Sequence, residues 1–405
     1  MRREEFERRL VEFVRRTLVA SGSAIVVDED TRLFEEGIVN SLRILDLIAF
    51  VEKETMTRIP DEAIRLANFR SVRAIAAAFG APGTPDTEPS RLITRSSSPQ
   101  EPTLLRTFER RAGRLDLASP LEELSAHGEL TLVEPGLAVF CGPSQRLLGY
   151  FDSVALGWAR EMGAEERTFP SRIPPATLAR ADRPVASPAD SILPPAVCYH
   201  VYPAFEGQQL ARPSLLTLRG RCFRDESVVE LSTGRLRDFQ MREIVALGPR
   251  EDVERFRQEL IAKVAELVTQ LDLEGRIETA SDPFFVSDST EPVSDSTNPD
   301  LVSRADEMRG RHLMQQVLPL KYELRLALGE NGVACAVASF NHHLDFFGRR
   351  FDLRLRSGAT AHSGCVAFGL ERWVLAFLAR HGADERTWPE PVRGFCATGK
   401  HARLA

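Results

Sequence analysis

Cysteine is scarce: six in 405 residues, with no C-x-x-C pair and no disulfide-framework spacing. The chain is therefore no disulfide scaffold, and reduced thiols in the cytoplasm are the expected state. No run approaches 18 consecutive apolar residues, which excludes a membrane-spanning helix. The opening MRREEFERRL is charged from its second residue and lacks the apolar core of a signal peptide. Positive charge is not in excess either: 52 Lys and Arg face 58 Asp and Glu, a net charge of −6. Such a balance argues against holding nucleic acid by bulk electrostatics. What is present, 43% hydrophobic and 27% charged residues, is the composition of a globular protein, long enough for two or three domains.

Residues 81–103 are rich in Pro, Ser, Thr and Gly without helical periodicity, and read as a flexible linker. They separate a small domain, residues 1–80, from a larger one, residues 104–405. A second polar stretch, 286–299, carries the near-duplicate VSDST and reads as a surface insertion. In the small domain Phe6, Leu10, Phe13, Val14 and Leu18 recur at helical spacing, as do Leu42, Leu45, Ile48 and Val51, then Val72, Ile75 and Phe79. The pattern predicts a bundle of three or four helices that is nearly neutral, with 13 basic and 14 acidic residues.

The large domain reads as α+β. Strands are expected at 215–224 and 239–247, and an antiparallel pair at 322–328 and 334–340. A long helix is expected at 251–272, and an apolar helix at 366–381 entered through Gly364. Cys141, Cys222, Cys335 and Cys396 read as buried hydrophobes. His342 and His343, beside Asp345, suggest a metal, but a structural or substrate-lining role is preferred.

Ser41 stands after a glycine turn at the start of the second helix. Free backbone N–H groups there favour an attached phosphodiester, while Ser41 or Asn40 also suits an ordinary helix cap. The surroundings, G-I-V-N-S-L, I-P-D-E and N-F-R-S-V-R-A-I, resemble the acyl and peptidyl carrier proteins along nearly all of residues 1–80. That resemblance implies 4′-phosphopantetheine on Ser41, attached by a phosphopantetheinyl transferase. Asn40 stands where the family usually has Asp.

In the large domain, Phe223-Arg224-Asp225-Glu226 followed by Arg235 and Phe239 resembles motif 2 of class II aminoacyl-tRNA synthetases. Gly364 through Gly369-Leu370-Glu371-Arg372 resembles motif 3, and the helix from Arg146 to Met162 resembles motif 1. The segments C-Y-H-x-Y-P, M-R-E-I-V, D-P-F-F, F-N-H-H-x-D-x-F-G and H-S-G-C-V-A-F-G-L-E-R narrow this further. Over residues 130–392 they resemble the amino acid:[carrier protein] ligases, relatives of atypical archaeal seryl-tRNA synthetases. The implied fold is a four-helix carrier bundle followed by a synthetase-like antiparallel sheet flanked by helices.

The implied chemistry is adenylation of an amino acid by ATP with magnesium, then transfer to a carrier thiol. A guanidinium fork suits the charge that builds on phosphate oxygens. Arg224 would meet the α-phosphate and Arg372 the γ-phosphate, with Glu226, Arg235 and Phe239 completing the ATP site. The family's zinc ligands fall on Cys198, Glu243 and Cys365, three ligands with an open position for the substrate amine. Glu323 and Asn341 are expected to line the amino-acid pocket. The expected partners are a small amino acid, a carrier in cis or in trans and a second copy in a homodimer, with no tRNA and no membrane. The alternative is a non-catalytic scaffold presenting the carrier domain.

Overall fold

The computed structural model describes residues 3–19, 26–39, 43–60, 63–80, 103–111, 113, 115–181, 183, 189–225, 229–280, 318–330 and 332–398. The chain divides into two units, one of residues 1–101 with 281–319 and one of residues 102–280 with 320–405. The segments 81–102 and 286–299, and the residues Asn40, Ser41 and Glu226, lie outside the described residues.

In the first unit, helix α1 (Arg3–Phe13) runs on into a wider turn (Val14–Leu18), and α2 spans Arg43–Thr55. The one-turn α3 (Leu66–Phe69) precedes α4 (Val72–Phe79), whose first turn is capped by Ser71 accepting from the Ala74 N–H. Phe6, Leu10, Val14, Leu47, Val51, Phe69 and Ile75 are buried, while Phe13, Leu45 and Phe79 of the expected stripes are half-buried.

The second unit is built on an eight-stranded sheet. Its strands are β1 (Leu104–Phe108), β4 (Glu165–Glu166), β6 (Ser214–Phe223), β7 (Asp238–Gly248), β8 (Gly275–Thr279), β9 (Lys321–Ala327), β10 (Ala334–Leu344) and β12 (His362–Gly369). The order is β1-β8-β9-β10-β12-β7-β6-β4, antiparallel except where β4 pairs parallel to β6. Small pairs, β2 (Leu130–Glu134) with β3 (Leu137–Phe140) and β5 (Gln209–Leu210) with β11 (Arg354–Leu355), stand outside it. Thr103, the last residue of the expected linker, already exchanges hydrogen bonds with Thr279.

One face of the sheet is covered by helices α6 (Gly142–Glu161), α9 (Arg250–Gln270) and α11 (Leu370–His381). Ile244, Val366, Phe340, Leu324 and Ile277 meet Phe151, Trp158, Phe256, Val264 and Phe377 in one apolar core. Fully burying each such side chain contributes roughly 1.5–3 kcal/mol. A Cβ on Gly364 would lie 2.7 Å from Val253 Cγ1, so glycine is what lets α9 approach the sheet there. Also on this face, the buried Arg242 donates to Asp152 of α6 at 2.7 and 3.2 Å, and Arg219 donates to the same carboxylate at 3.0 Å.

Three expectations need correction. The segment 366–381 is not one helix: β12 runs to Gly369 and the helix starts at Leu370. A central strand buried on both faces is apolar without alternation, so periodicity cannot separate it from a helix. The sheet is mixed, not wholly antiparallel, because β4 joins it in parallel. Cys141 is exposed and Cys396 half-buried, so only Cys222 and Cys335 among the four are core residues. Cys141 is the residue before α6, outside its packed face.

Candidate active site and metal centre

Residues directly opposite each other in an antiparallel ladder share a face, so the register shows what lies on the side away from the three helices. One rung reads Leu218, Glu243, Ala367, Ser339, Glu323 and Glu278 across five strand pairings. The next reads Leu216, Val245, Cys365, Asn341 and Lys321. Polar groups that would be costly in the core therefore gather on this second face.

Glu243 and Cys365 sit on neighbouring strands, and the third partner comes from a turn (Val197–His200) just before α8 (Val201–Ala204). Glu243 fixes that turn. Its two carboxylate oxygens accept from the Val197 N–H at 2.7 Å and the Cys198 N–H at 3.0 Å. Cys365 Sγ donates to Glu243 Oε2 at 3.0 Å. The ligand atoms of Cys198, Glu243 and Cys365 all lie within 4.8 Å of one another, and all three residues are buried.

This donor set fits a zinc ion. Two sulfurs and one carboxylate oxygen match its ligand preferences, and no other described His, Cys, Asp or Glu joins the group. No Lys or Arg among the described residues forms an ion pair with the buried Glu243. Hydrogen bonding from Cys365 lowers the Cys198 thiol, yet burial and the Glu243 charge hold it above its ordinary value. Burial, hydrogen bonding to Cys198 and the same charge push Cys365 well up. A cation among these groups reverses that tendency by favouring thiolates.

Of the expected ATP residues, Phe239 lies on this same face, four residues before Glu243 on β7. Arg224 follows β6, donates from Nε to the Pro195 carbonyl at 3.2 Å, and places Cζ 5.2 Å from the centre of the Phe239 ring. Arg372, in the first turn of α11, donates to the carbonyls of Gly234 at 2.8 Å and Ala336 at 2.9 Å. Gly234 has φ +69°, in the left-handed region that glycine adopts without strain, and ends the turn leading to the exposed Arg235. Beside Arg372 in sequence, Glu371 is buried and both its oxygens accept from the Gln240 N–H, at 3.0 and 2.9 Å. Burial raises the Glu371 carboxyl to about 7 against the hydrogen bonds from Gln240.

Glu323 lies two strands from Cys365 on the same face, 2.9 Å from Lys321 Nζ. Burial acts to raise its carboxyl, but Lys321, Arg325 and Arg372 hold it below the usual range. Asn341 pairs directly with Cys365; its Nδ2 donates to Ser339 Oγ at 3.1 Å, while its buried Oδ1 has no partner. His342 and His343 stand outside the metal group. His342 instead bridges Glu254 at 3.3 Å and His362 at 3.4 Å, and burial lowers His343 to about 3, a neutral core imidazole. Nothing in the local sequence pattern marks a role for Glu371 or connects Asp152 to Arg242.

An amino acid–[acyl-carrier-protein] ligase of Bradyrhizobium diazoefficiens is 35% identical over 217 residues, 53% of this chain and 60% of that protein. The chain is homologous to these ligases. A second such ligase from the same organism is 35% identical over 209 residues, and a type-2 serine–tRNA ligase of Methanopyrus kandleri is 29% identical over 206. The chain spans about 60% of the first ligase's length and 37% of the tRNA ligase's. No family model matches.

Among solved structures, M. kandleri seryl-tRNA synthetase in complex with A. aeolicus tRNASec matches 85% of this chain and 72% of its own. Its TM-score is 0.60 at 23% identity. Seryl-tRNA synthetase from Pyrococcus horikoshii, complexed with ATP, matches at TM-score 0.57 and 14% identity over 98% and 87% of the two chains. The fold is that of the class II synthetases. No helix among the described residues is long and apolar enough to cross a membrane.

Proposed function

We propose that the chain activates a small amino acid with ATP and transfers it to the phosphopantetheine thiol of a carrier protein, the thiol on Ser41 of its own first unit being the favoured acceptor. The observation that carries this reading is the convergence of Cys198, Glu243 and Cys365 on the sheet face away from the three helices, the face that also carries Phe239 with Arg224 against its ring. Homology to ligases named for amino acids and acyl carrier proteins supports it.

In this mechanism the substrate carboxylate attacks the α-phosphorus of ATP, a P–O bond forms, and pyrophosphate leaves with the electron pair of the broken bond. A bound zinc ion would supply an open position for the neutral amine of the substrate. Arg224 meets the charge that develops on the α-phosphate oxygens, leaving the Phe239 ring face to the adenine. Arg372 and Arg235 take the outer phosphates, with Glu226 near the adenine and magnesium entering with the nucleotide. Asn341 Oδ1, buried and unpartnered beside Cys365, would accept a hydrogen bond from the substrate, and Glu323, on the same face of the sheet, would line the amino-acid site. The carrier sulfur then attacks the acyl carbon, a thioester forms, and AMP leaves. A tethered carrier raises its own effective concentration at the site.

The decisive experiment is amino-acid-dependent exchange of labelled pyrophosphate into ATP, across a panel of amino acids. One or a few small amino acids are expected to support exchange. If none does, the reading fails and a non-catalytic scaffold takes its place.

A further inference from the structure

We propose that Glu371 is a positioning residue for ATP: it holds the peptide between Phe239 and Gln240, and so fixes the ring on which the adenine rests. The inference rests on the adenylation reading above. Glu371 and Arg372 are consecutive in the first turn of α11, yet each reaches a different part of the β6–β7 hairpin. Arg372 grips the Gly234 carbonyl at the turn, while the Glu371 carboxylate takes the Gln240 N–H with both oxygens. Gln240 Nε2 adds a third contact at 3.4 Å. One helical turn thus clamps the hairpin at two points, on either side of Arg235 and Phe239.

A carboxylate is an unusual choice for a purely structural hold. Glu371 is 4% exposed, and burial raises its carboxyl to about 7, so the charged form is disfavoured where it sits. A neutral group of the same shape would relieve that penalty. What the charge adds is a stronger, symmetric acceptor for the Gln240 N–H. The charged and titratable groups around it are Arg221 and Cys222 of β6 and its neighbour Arg372. Arg221 is itself paired with Asp238 at 2.7 Å, and Arg219 reaches the same region through the Gln240 side chain, at 2.6 Å.

Glu371→Gln separates the two roles, because glutamine keeps the shape, offers one acceptor and carries no charge. Affinity for ATP with magnesium is measured by calorimetry from pH 6 to pH 8 on the full chain, together with thermal unfolding. At pH 8 the variant is expected to bind ATP about five- to tenfold more weakly while unfolding at an equal or higher temperature. The ratio of the two affinities is expected to shrink towards one at pH 6, where the wild-type carboxyl is protonated. Taking the ratio cancels the titration of ATP itself.

Equal affinities at pH 8, a ratio that does not change with pH, or a variant that is less stable and binds ATP normally would each overturn the proposal. If the wild type binds ATP with this pattern but no amino acid supports exchange, only the functional reading falls. If exchange is normal and the ratio is flat, only this inference falls. A wild type that binds no ATP removes both.

Discussion

Glu243 and Cys365 are 122 residues apart in the chain, and their side chains meet at 3.0 Å on adjacent strands of one sheet. Their register brings Glu243 opposite Ala367 and Cys365 opposite Val245, so the two groups occupy neighbouring rungs of the same face. Cys198 arrives from outside the sheet, held by two N–H bonds from its turn to the Glu243 carboxylate. Glu243 is thus both a candidate ligand and the anchor of another. Its loss would remove a donor and release the Val197–His200 turn together.

Purified protein should therefore contain about one zinc per chain. Cys198→Ser or Cys365→Ser should lose most of that metal, and amino-acid activation with it, while ATP affinity stays within a few-fold of wild type. Stripping the metal with a chelator should have the same effect as either substitution. Cys222→Ser should retain its metal, since Cys222 is outside the ligand group despite being buried nearby. Elemental analysis of the wild type and the three variants decides this. A metal-free wild type that still activates amino acids would sink the zinc assignment.

Arg224→Ala and Arg372→Ala should each slow pyrophosphate exchange by on the order of 10²–10³, the usual cost of losing one donor to developing charge. Arg224→Lys should recover little, because an ammonium cannot reproduce a bidentate guanidinium. Ser41→Ala should leave exchange unchanged and abolish the thioester on the chain, read by intact mass after incubation with coenzyme A and a broad-range phosphopantetheinyl transferase. A thioester that persists on Ser41→Ala would move the carrier attachment elsewhere.

How much of this was legible in the sequence varies by element. The helix 250–270 was readable because Val253, Phe256, Leu260, Val264 and Val268 follow a helical period under an acidic first turn. Strands β6 and β7 were readable because they flank an obvious turn at Gly234. β12 was not readable: Cys365, Val366, Ala367 and Phe368 are all buried, so nothing alternates, and the apolar helix after Gly369 continues the same run. The metal group had no local signal at all. It depends on strand register and on a turn 45 residues from Glu243, and only resemblance to a family placed it. Glu371 was hidden for a different reason: its importance lies in a backbone N–H it accepts from, and backbone partners leave no trace in composition.

The helix-covered face carries the last prediction. Arg242 is almost wholly buried, with a side chain 4% exposed, and its charge is met mainly by Asp152 of α6 at 2.7 and 3.2 Å. Glu166 adds a contact at 3.1 Å but is 42% exposed, so solvent weakens it. Removing one partner of a buried ion pair typically costs 3–5 kcal/mol, because the other charge is left uncompensated. Asp152→Ala should therefore lower stability by about 3 kcal/mol in denaturant unfolding, the lower end because Glu166 remains. The double substitution Asp152→Leu with Arg242→Met should recover much of the loss, since apolar groups of similar volume replace the buried pair and only the part-exposed Arg219, which keeps its bond to Gln240, loses its carboxylate. Zinc content should not change in either variant, because this pair lies on the face away from Cys198, Glu243 and Cys365. A loss under 1 kcal/mol for Asp152→Ala would mean that Glu166 alone compensates Arg242, and that α6 is held to the sheet by its apolar stripe.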